Sequence, residues 1–441
     1  MLSLLLMDKV KGVWIYRYSS ADVQGVDRSL APACLQIIDG KSTFDDMKDQ
    51  IRRNFAMTSK QRMLAAITRS IPDRLPVTTH HVMKYFLDRY MNGISYDEFF
   101  DYFGLDAIRW AVPHKPDESK GYYYDTNQPQ VDFWDSRRII SDQWQITSEP
   151  VPDDQYQTIR YYIKTPKKTL TMVTQSNVHT TWVAEHLVKE KSDIDIIAEF
   201  ATAPLCDVDA VNQIAADFGE RGLVRGHICC FDIYGQPGCW QDACCLYGTE
   251  KMIMEAYDDP EWVHTFLKIL QQRKIVFIES LKGAKYDILE LGGGDASTTV
   301  ISPRLFNEFV APYDNELIRL AHQVGQRIVY HTCGGMMPIL EDIAAMEPDA
   351  METFTPPAMG ADVDLAEAKR RIGDKVCMIG GFDQFHFFIG CTPEQTRAEV
   401  RRCFEAAGAN GGYILSPSDH FFDADIELIQ AYADEARKCL Y

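Results

Sequence analysis

The chain has 441 residues, 46% of them hydrophobic and 25% charged, the balance of a globular protein large enough to fold without disulfide or metal staples. A formal net charge of −19 argues against a nucleic-acid groove or an anionic membrane as principal partner. No apolar run approaches the ~18–20 residues that span a bilayer, and the opening Met1-Leu2-Ser3-Leu4-Leu5-Leu6-Met7 is too short and lacks the basic flank of a secretory leader.

The 12 cysteines include the adjacent pairs Cys229-Cys230 and Cys244-Cys245, unlike a secreted disulfide framework, so a reducing cytoplasm is expected. Residues 1–56 show weak periodicity, with a helix expected over 43–55, and read as an N-terminal extension of unknown role. From Met57 onward, strand-like apolar runs alternate with amphipathic helices, the pattern of parallel βα units, so 57–441 reads as one domain. Thr58 or Ser59 can cap a helix whose apolar face is Met63, Leu64 and Ile67.

The first strand run is Leu75-Pro76-Val77-Thr78-Thr79-His80, followed by helices over 82–91 and 96–103. Residues 141–175 break the rhythm with polar–apolar alternation and turns, which predicts an antiparallel β insertion serving as a lid or an interface. Further runs are Leu223–Phe231, Tyr286–Leu291, Arg327–His331, Ala350–Phe354, Val376–Ile379 and Gly412–Leu415. These make seven strands, with the missing one placed between Thr169 and Phe200. The predicted fold is a (β/α)₈ TIM-type barrel with an antiparallel β insertion and an N-terminal extension.

Catalysis in such a barrel sits where strands end, because the βα loops converge there. After one run comes Glu290-Leu291-Gly292-Gly293-Gly294-Asp295, where glycines admit a ligand close to backbone and two carboxylates flank it; a plain glycine turn explains it equally. Another run leads into His331-Thr332-Cys333-Gly334-Gly335. Residues two apart on a strand face one way, so His331 and Cys333 would share the barrel mouth, and imidazole with thiolate suits Zn²⁺. Chance is the competing explanation in a chain with 11 His and 12 Cys. Asp419 or His420, after the last run, could complete a metal shell. Glu352 and Asp383 end two other runs, each as readily a loop cap as a functional group. His80 and His81 end the first run and are candidate substrate contacts.

From Met57 onward the chain resembles the uroporphyrinogen-decarboxylase superfamily, especially its corrinoid-dependent methyltransferase branch. The residues that carry the resemblance begin with Ser59-Lys60-Gln61-Arg62 and Pro72-Asp73-Arg74-Leu75-Pro76. They continue with Ile301-Ser302-Pro303-Arg304-Leu305-Phe306, His331-Thr332-Cys333-Gly334, Gly380-Gly381-Phe382-Asp383 and Gly411-Gly412-Tyr413-Ile414-Leu415-Ser416-Pro417-Ser418. The resemblance implies a TIM-type barrel and a zinc site on His331 and Cys333. That branch adds a cysteine after the last strand in a P-G-C pattern; here Pro417-Ser418-Asp419 stands instead, leaving Asp419, His420 or Glu290 as the third ligand. The decarboxylase proper carries an arginine-rich motif after its first strand, where this chain reads Thr78-Thr79-His80-His81-Val82-Met83-Lys84.

The expected activity is therefore methyl transfer between a small methylated compound and cobalamin carried by a separate corrinoid protein, since no D-x-H-x-x-G cobalamin signature is present. Glu290, Asp295 or Asp383 would orient substrate or move a proton, and His80, His81 and Glu352 would contact it. Barrels of this kind often pair as homodimers. The alternatives are a tetrapyrrole-type decarboxylase, with Arg304 and Lys84 as the nameable cations, and a non-catalytic ligand-binding barrel.

Overall fold

A computed structural model describes residues 7–10, 13–16, 56–79, 81–128 and 136–441, and divides the chain into two units, Met1–Ala56 and Met57–Tyr441. In the first unit, strands Met7–Val10 and Val13–Tyr16 pair antiparallel. The helix expected over 43–55 lies outside the described residues, as does His80.

The second unit starts with a reciprocal cap. The Thr58 hydroxyl accepts from the Gln61 N–H, and the Gln61 side chain accepts from the Thr58 N–H, which fixes the start of helix Ser59–Ile67. That helix buries Arg62, Met63, Ala66 and Ile67.

Seven parallel strands follow in spatial order: Ala107–Trp110, Gly222–His227, Ile288–Gly292, Ile328–His331, Ala350–Thr353, Cys377–Phe382 and Tyr413–Pro417. Residues 75–78 join the two edges of this sheet. Val77 forms a parallel bridge with Leu415, Thr78 N–H donates to the Leu415 carbonyl at 2.9 Å, and Asp106 N–H donates to the Val77 carbonyl at 2.7 Å. The sheet thereby closes on itself, with helices between successive strands. The strand expected between Thr169 and Phe200 is instead Ala107–Trp110. Its four residues hold only two buried positions, too few for a periodicity signal.

Closure is secured at the N-terminal ends of the strands by a buried carboxylate. Asp106 is fully buried and accepts from Arg62 Nη1 at 2.6 Å, from Arg74 Nη1 and Nη2 at 3.2 Å each, from Ser59 Oγ at 2.8 Å and from Val77 N–H at 2.9 Å. Asp73 binds the other edge of Arg62 at 2.7 Å. The segments Ser59–Arg62 and Pro72–Pro76 thus build the clasp that closes the barrel, far from its mouth.

The insertion is a four-stranded antiparallel sheet of Gln145–Val151, Gln157–Lys164, Thr169–Ser176 and Thr181–Glu185. It therefore runs one strand beyond the expected 141–175. The turn between its last two strands reaches three rim elements. His179 packs edge-on against Tyr85 (4.3 Å between ring centroids) and Phe422 (4.8 Å), and the Tyr234 hydroxyl donates to the Thr181 carbonyl at 2.9 Å. Tyr85 follows the first strand, Tyr234 the third and Phe422 the eighth, so the hairpin lies across the barrel mouth.

Helix 303–323 is interrupted by a π turn over Phe306–Val310 before Ala311–Gln323 resumes. Pro312 supplies the reason, having no N–H to give the preceding turn. Within this helix Asp314 is buried, accepting from Tyr330 Oη at 2.9 Å and Cys239 N–H at 3.3 Å, and burial pushes its carboxyl up to about 6. An acid raised in the folded state costs stability as pH climbs. Below pH ~4 both states hold the proton; between there and about 6 the unfolded chain releases it while the native chain retains it. Asp314→Asn keeps an acceptor for Cys239 and a donor to which the Tyr330 hydroxyl can turn. The variant is expected to be about 2–3 kcal/mol more stable than the parent at pH 7.5 but not at pH 4, measured by urea unfolding at both. Equal stability at pH 7.5 would show that Asp314 ionises without penalty.

Candidate active site

Four adjacent strands each send one polar side chain inward near their C-terminal ends: Arg225, Glu290, His331 and Glu352. His331 pairs directly with Glu352, while Glu290 lies two residues before Gly292, the partner of His331, and Arg225 two residues before His227, the partner of Glu290, so the long Arg225 and Glu290 side chains reach along the barrel to meet them. Gly292 makes the fourth and fifth strands' close approach possible. It holds φ +102°, and a Cβ there would meet the His331 carbonyl at 2.4 Å.

Arg225 is 1% exposed. Its Nη1 donates to Glu352 Oε2 at 2.9 Å and its Nη2 to Glu290 Oε2 at 2.5 Å, with a further bond from Nη2 to Glu352 Oε1. The Trp110 ring lies behind the guanidinium, 4.5 Å from Cζ to the ring centroid. Burial disfavours the arginine's charge, but Glu352 and Glu290 outweigh it and hold the guanidinium firmly protonated. Burial likewise pushes the Glu352 carboxyl up, and Arg225 and His331 overcome it, holding Glu352 well below the usual carboxylate range.

His331 Nδ1 lies 2.9 Å from Glu352 Oε1, and its Nε2 lies 2.7 Å from Cys333 Sγ. One side of the imidazole is therefore tied to a carboxylate and the other faces a sulfur. Burial works against a charged His331, yet Cys333, Glu290 and Glu352 together raise its pKa well above the ordinary value. His420 behaves oppositely: burial lowers its pKa, and the charge of His331 adds to the effect, which keeps the ring neutral. Its ring packs on His81 at 4.8 Å, and His81 on Trp110 at 4.7 Å, so Arg225, Trp110, His81 and His420 form a column beside the cluster.

The other sequence candidates stand apart. Asp383 caps the short helix Gln384–Phe387, accepting from the His386 N–H at 3.1 Å and lying 2.8 Å from His386 Nδ1. Asp295 turns to Thr249, whose hydroxyl lies 3.4 Å from its Oδ2, and burial raises its carboxyl pKa. Asp419 accepts from the His420 N–H at 2.7 Å within its own loop and is 39% exposed at the side chain. Lys84 and Arg304 are surface residues paired with Asp88 and Glu308. A buried cation not named from the sequence is Arg225, which lies within a strand and not after one. A lone arginine in the buried run Leu223-Val224-Arg225-Gly226-His227 was the available signal.

The residues fit a zinc ion on one side only. His331 Nε2 and Cys333 Sγ converge, and the carboxylate on Nδ1 fixes the ring as second-layer partners of metal-bound histidines do. Glu290, His331 and Glu352 each also offer an atom within 4.8 Å of the others, but Arg225 already bonds both carboxylates.

Comparison with known proteins agrees with this architecture. The sequence model of the family "Uroporphyrinogen decarboxylase (URO-D)" matches residues 235–439, which include the three strand ends bearing Glu290, His331 and Glu352. Over this C-terminal stretch the chain is similar to the uroporphyrinogen-decarboxylase superfamily. It is 27% identical over 167 residues to uroporphyrinogen decarboxylase of Pseudoalteromonas translucida, 36% of this chain and 44% of that protein. It is 27% identical over 160 residues to methylated-thiol–coenzyme M methyltransferase of Methanosarcina mazei, 36% of this chain and 40% of that protein. The chain spans about half the length, or less, of the curated relatives it matches. A solved methyltransferase from Methanosarcina mazei superposes with a TM-score of 0.51 at 16% identity, over 87% of this chain and 99% of that one, and so shares the fold. Among the described residues, no helix is long and apolar enough to cross a membrane.

Proposed function

We propose that this protein is a methyltransferase that moves a methyl group between a small methylated compound and the corrinoid of a partner protein, with zinc held by His331 and Cys333. The observation that carries this is the pairing of His331 Nε2 with Cys333 Sγ at 2.7 Å, at a strand end inside the barrel mouth. The methyltransferase relative from Methanosarcina mazei supports it. A bound zinc ion would supply Lewis acidity toward a methoxy, amine or thiol group. His420, which follows the last strand and packs its ring on His81 at 4.8 Å, is one candidate for the third ligand. Asp419 and Glu290 are the alternatives. Glu352 holds the imidazole from behind, and His81 packs on Trp110 beside the cluster.

The competing decarboxylase reading draws on the curated relatives of that name and on Arg225. A decarboxylase needs a cation facing the substrate carboxylates. Both Nη atoms of Arg225 already bond two carboxylates of the chain itself, which balance its charge.

Purified protein is expected to carry close to stoichiometric zinc, and His331→Ala and Cys333→Ala are each expected to lose it. Methyl transfer to cob(I)alamin from methoxylated aromatics, methylamines or methylthiols should fall at least ~100-fold in both variants. A zinc-free wild-type protein, indifferent to chelators and inactive with all three donor classes, would overturn the proposal.

A further inference from the structure

Arg225 sits among three groups that could otherwise hold a metal ion themselves. Glu290, His331 and Glu352 each offer a ligand atom within 4.8 Å of the others, a spacing that suits an oxygen-preferring divalent ion. Cys333 offers the alternative, a sulfur on the far side of the same imidazole. One histidine therefore stands between a hard, carboxylate-rich site and a softer nitrogen–sulfur site.

We propose that Arg225 decides between them: it fills the carboxylate site with its own charge and clamps Glu352, so that His331 presents Nε2, together with Cys333, to the metal. The inference rests on the metal reading above. The guanidinium grips Glu352 through both oxygens and reaches Glu290 with the same Nη2. Such a fork holds a carboxylate in one orientation, which a point charge does not. Glu352 Oε1, so held, takes His331 Nδ1 at 2.9 Å. The Trp110 ring behind the guanidinium closes off the side toward which it could swing. An arginine cannot lose its proton in a protein, so the block is permanent across the working pH range.

Titration of the metal-stripped full chain with Co²⁺ and Mn²⁺ tests this. Wild-type protein should bind Co²⁺ with a near-ultraviolet thiolate-to-cobalt band and bind Mn²⁺ poorly. Arg225→Met should gain at least ~10-fold in Mn²⁺ affinity and lose much of the thiolate band. Arg225→Lys keeps the charge and should exclude Mn²⁺ as the wild type does. The proposal is overturned if Arg225→Met shows the wild-type band and no Mn²⁺ gain, or if Arg225→Lys gains Mn²⁺ as Arg225→Met does. Absence of the band in wild-type protein would instead remove the His331–Cys333 metal reading, while a Mn²⁺ gain in Arg225→Met would still support the blocking role. Should Arg225→Met fail to fold, Glu352→Gln carries the test. It keeps Arg225 but breaks the clamp, and Co²⁺ affinity should fall ~10–100-fold; unchanged affinity overturns the proposal.

Discussion

Glu352→Ala is expected to lower the unfolding free energy by about 3–5 kcal/mol, the cost of breaking a buried ion pair by removing one partner. Glu352 is 1% exposed and takes both Nη atoms of Arg225. Its loss leaves a guanidinium in the barrel interior with Glu290 alone to oppose it, and no carboxylate against His331 Nδ1. Glu352→Gln preserves the shape and one acceptor for the fork, so it should cost clearly less. Urea unfolding of both variants at one pH gives the comparison. Equal loss in the two would mean that shape, and not charge pairing, sets the cost.

Asp106→Ala is expected to be as damaging, about 3–5 kcal/mol, by the same physics at the opposite end of the barrel. Asp106 is the shared partner of Arg62 and Arg74 and the acceptor for Val77 N–H. Without it two arginines crowd each other with only Asp73 nearby, and a buried backbone donor is orphaned. Val77 lies in the segment that joins the two sheet edges, so the damage falls on closure. The contrast with Glu352 is functional. Folded Asp106→Ala protein should bind metal with wild-type affinity, because the clasp and the mouth lie at opposite strand ends. A metal-binding defect in the folded fraction would contradict that separation.

Most of the barrel was legible because its later strands are buried on both faces and read as continuous apolar runs between helices. The strand Ala107–Trp110 was hidden because Arg109 and Trp110 are half-exposed and nothing in four residues repeats. The fourth strand of the insertion, Thr181–Glu185, was missed for a similar reason: none of its residues is fully buried. In the site, His331, Cys333, Glu290 and Glu352 could be named because they lie at or near strand ends. Arg225 lies three residues short of the following loop, and only the fold shows which carboxylates it meets. Asp383 looked the same as Glu352 in sequence; spacing alone could not reveal that one caps a helix while the other faces the interior.

The hairpin tip that carries His179 makes the entrance a door with three light catches. Two aromatic contacts and one hydrogen bond hold it. At roughly 0.5–1.5 kcal/mol for each ring pair and about 1 for the hydrogen bond, they sum to about 2–4 kcal/mol. The ajar form would then be about one molecule in thirty to one in a thousand. Under the proposed function, a small methyl donor could wait for that fraction, whereas a corrinoid-carrying partner would have to capture it, its apparent affinity weakened by the same factor unless its own contacts wedge the door open.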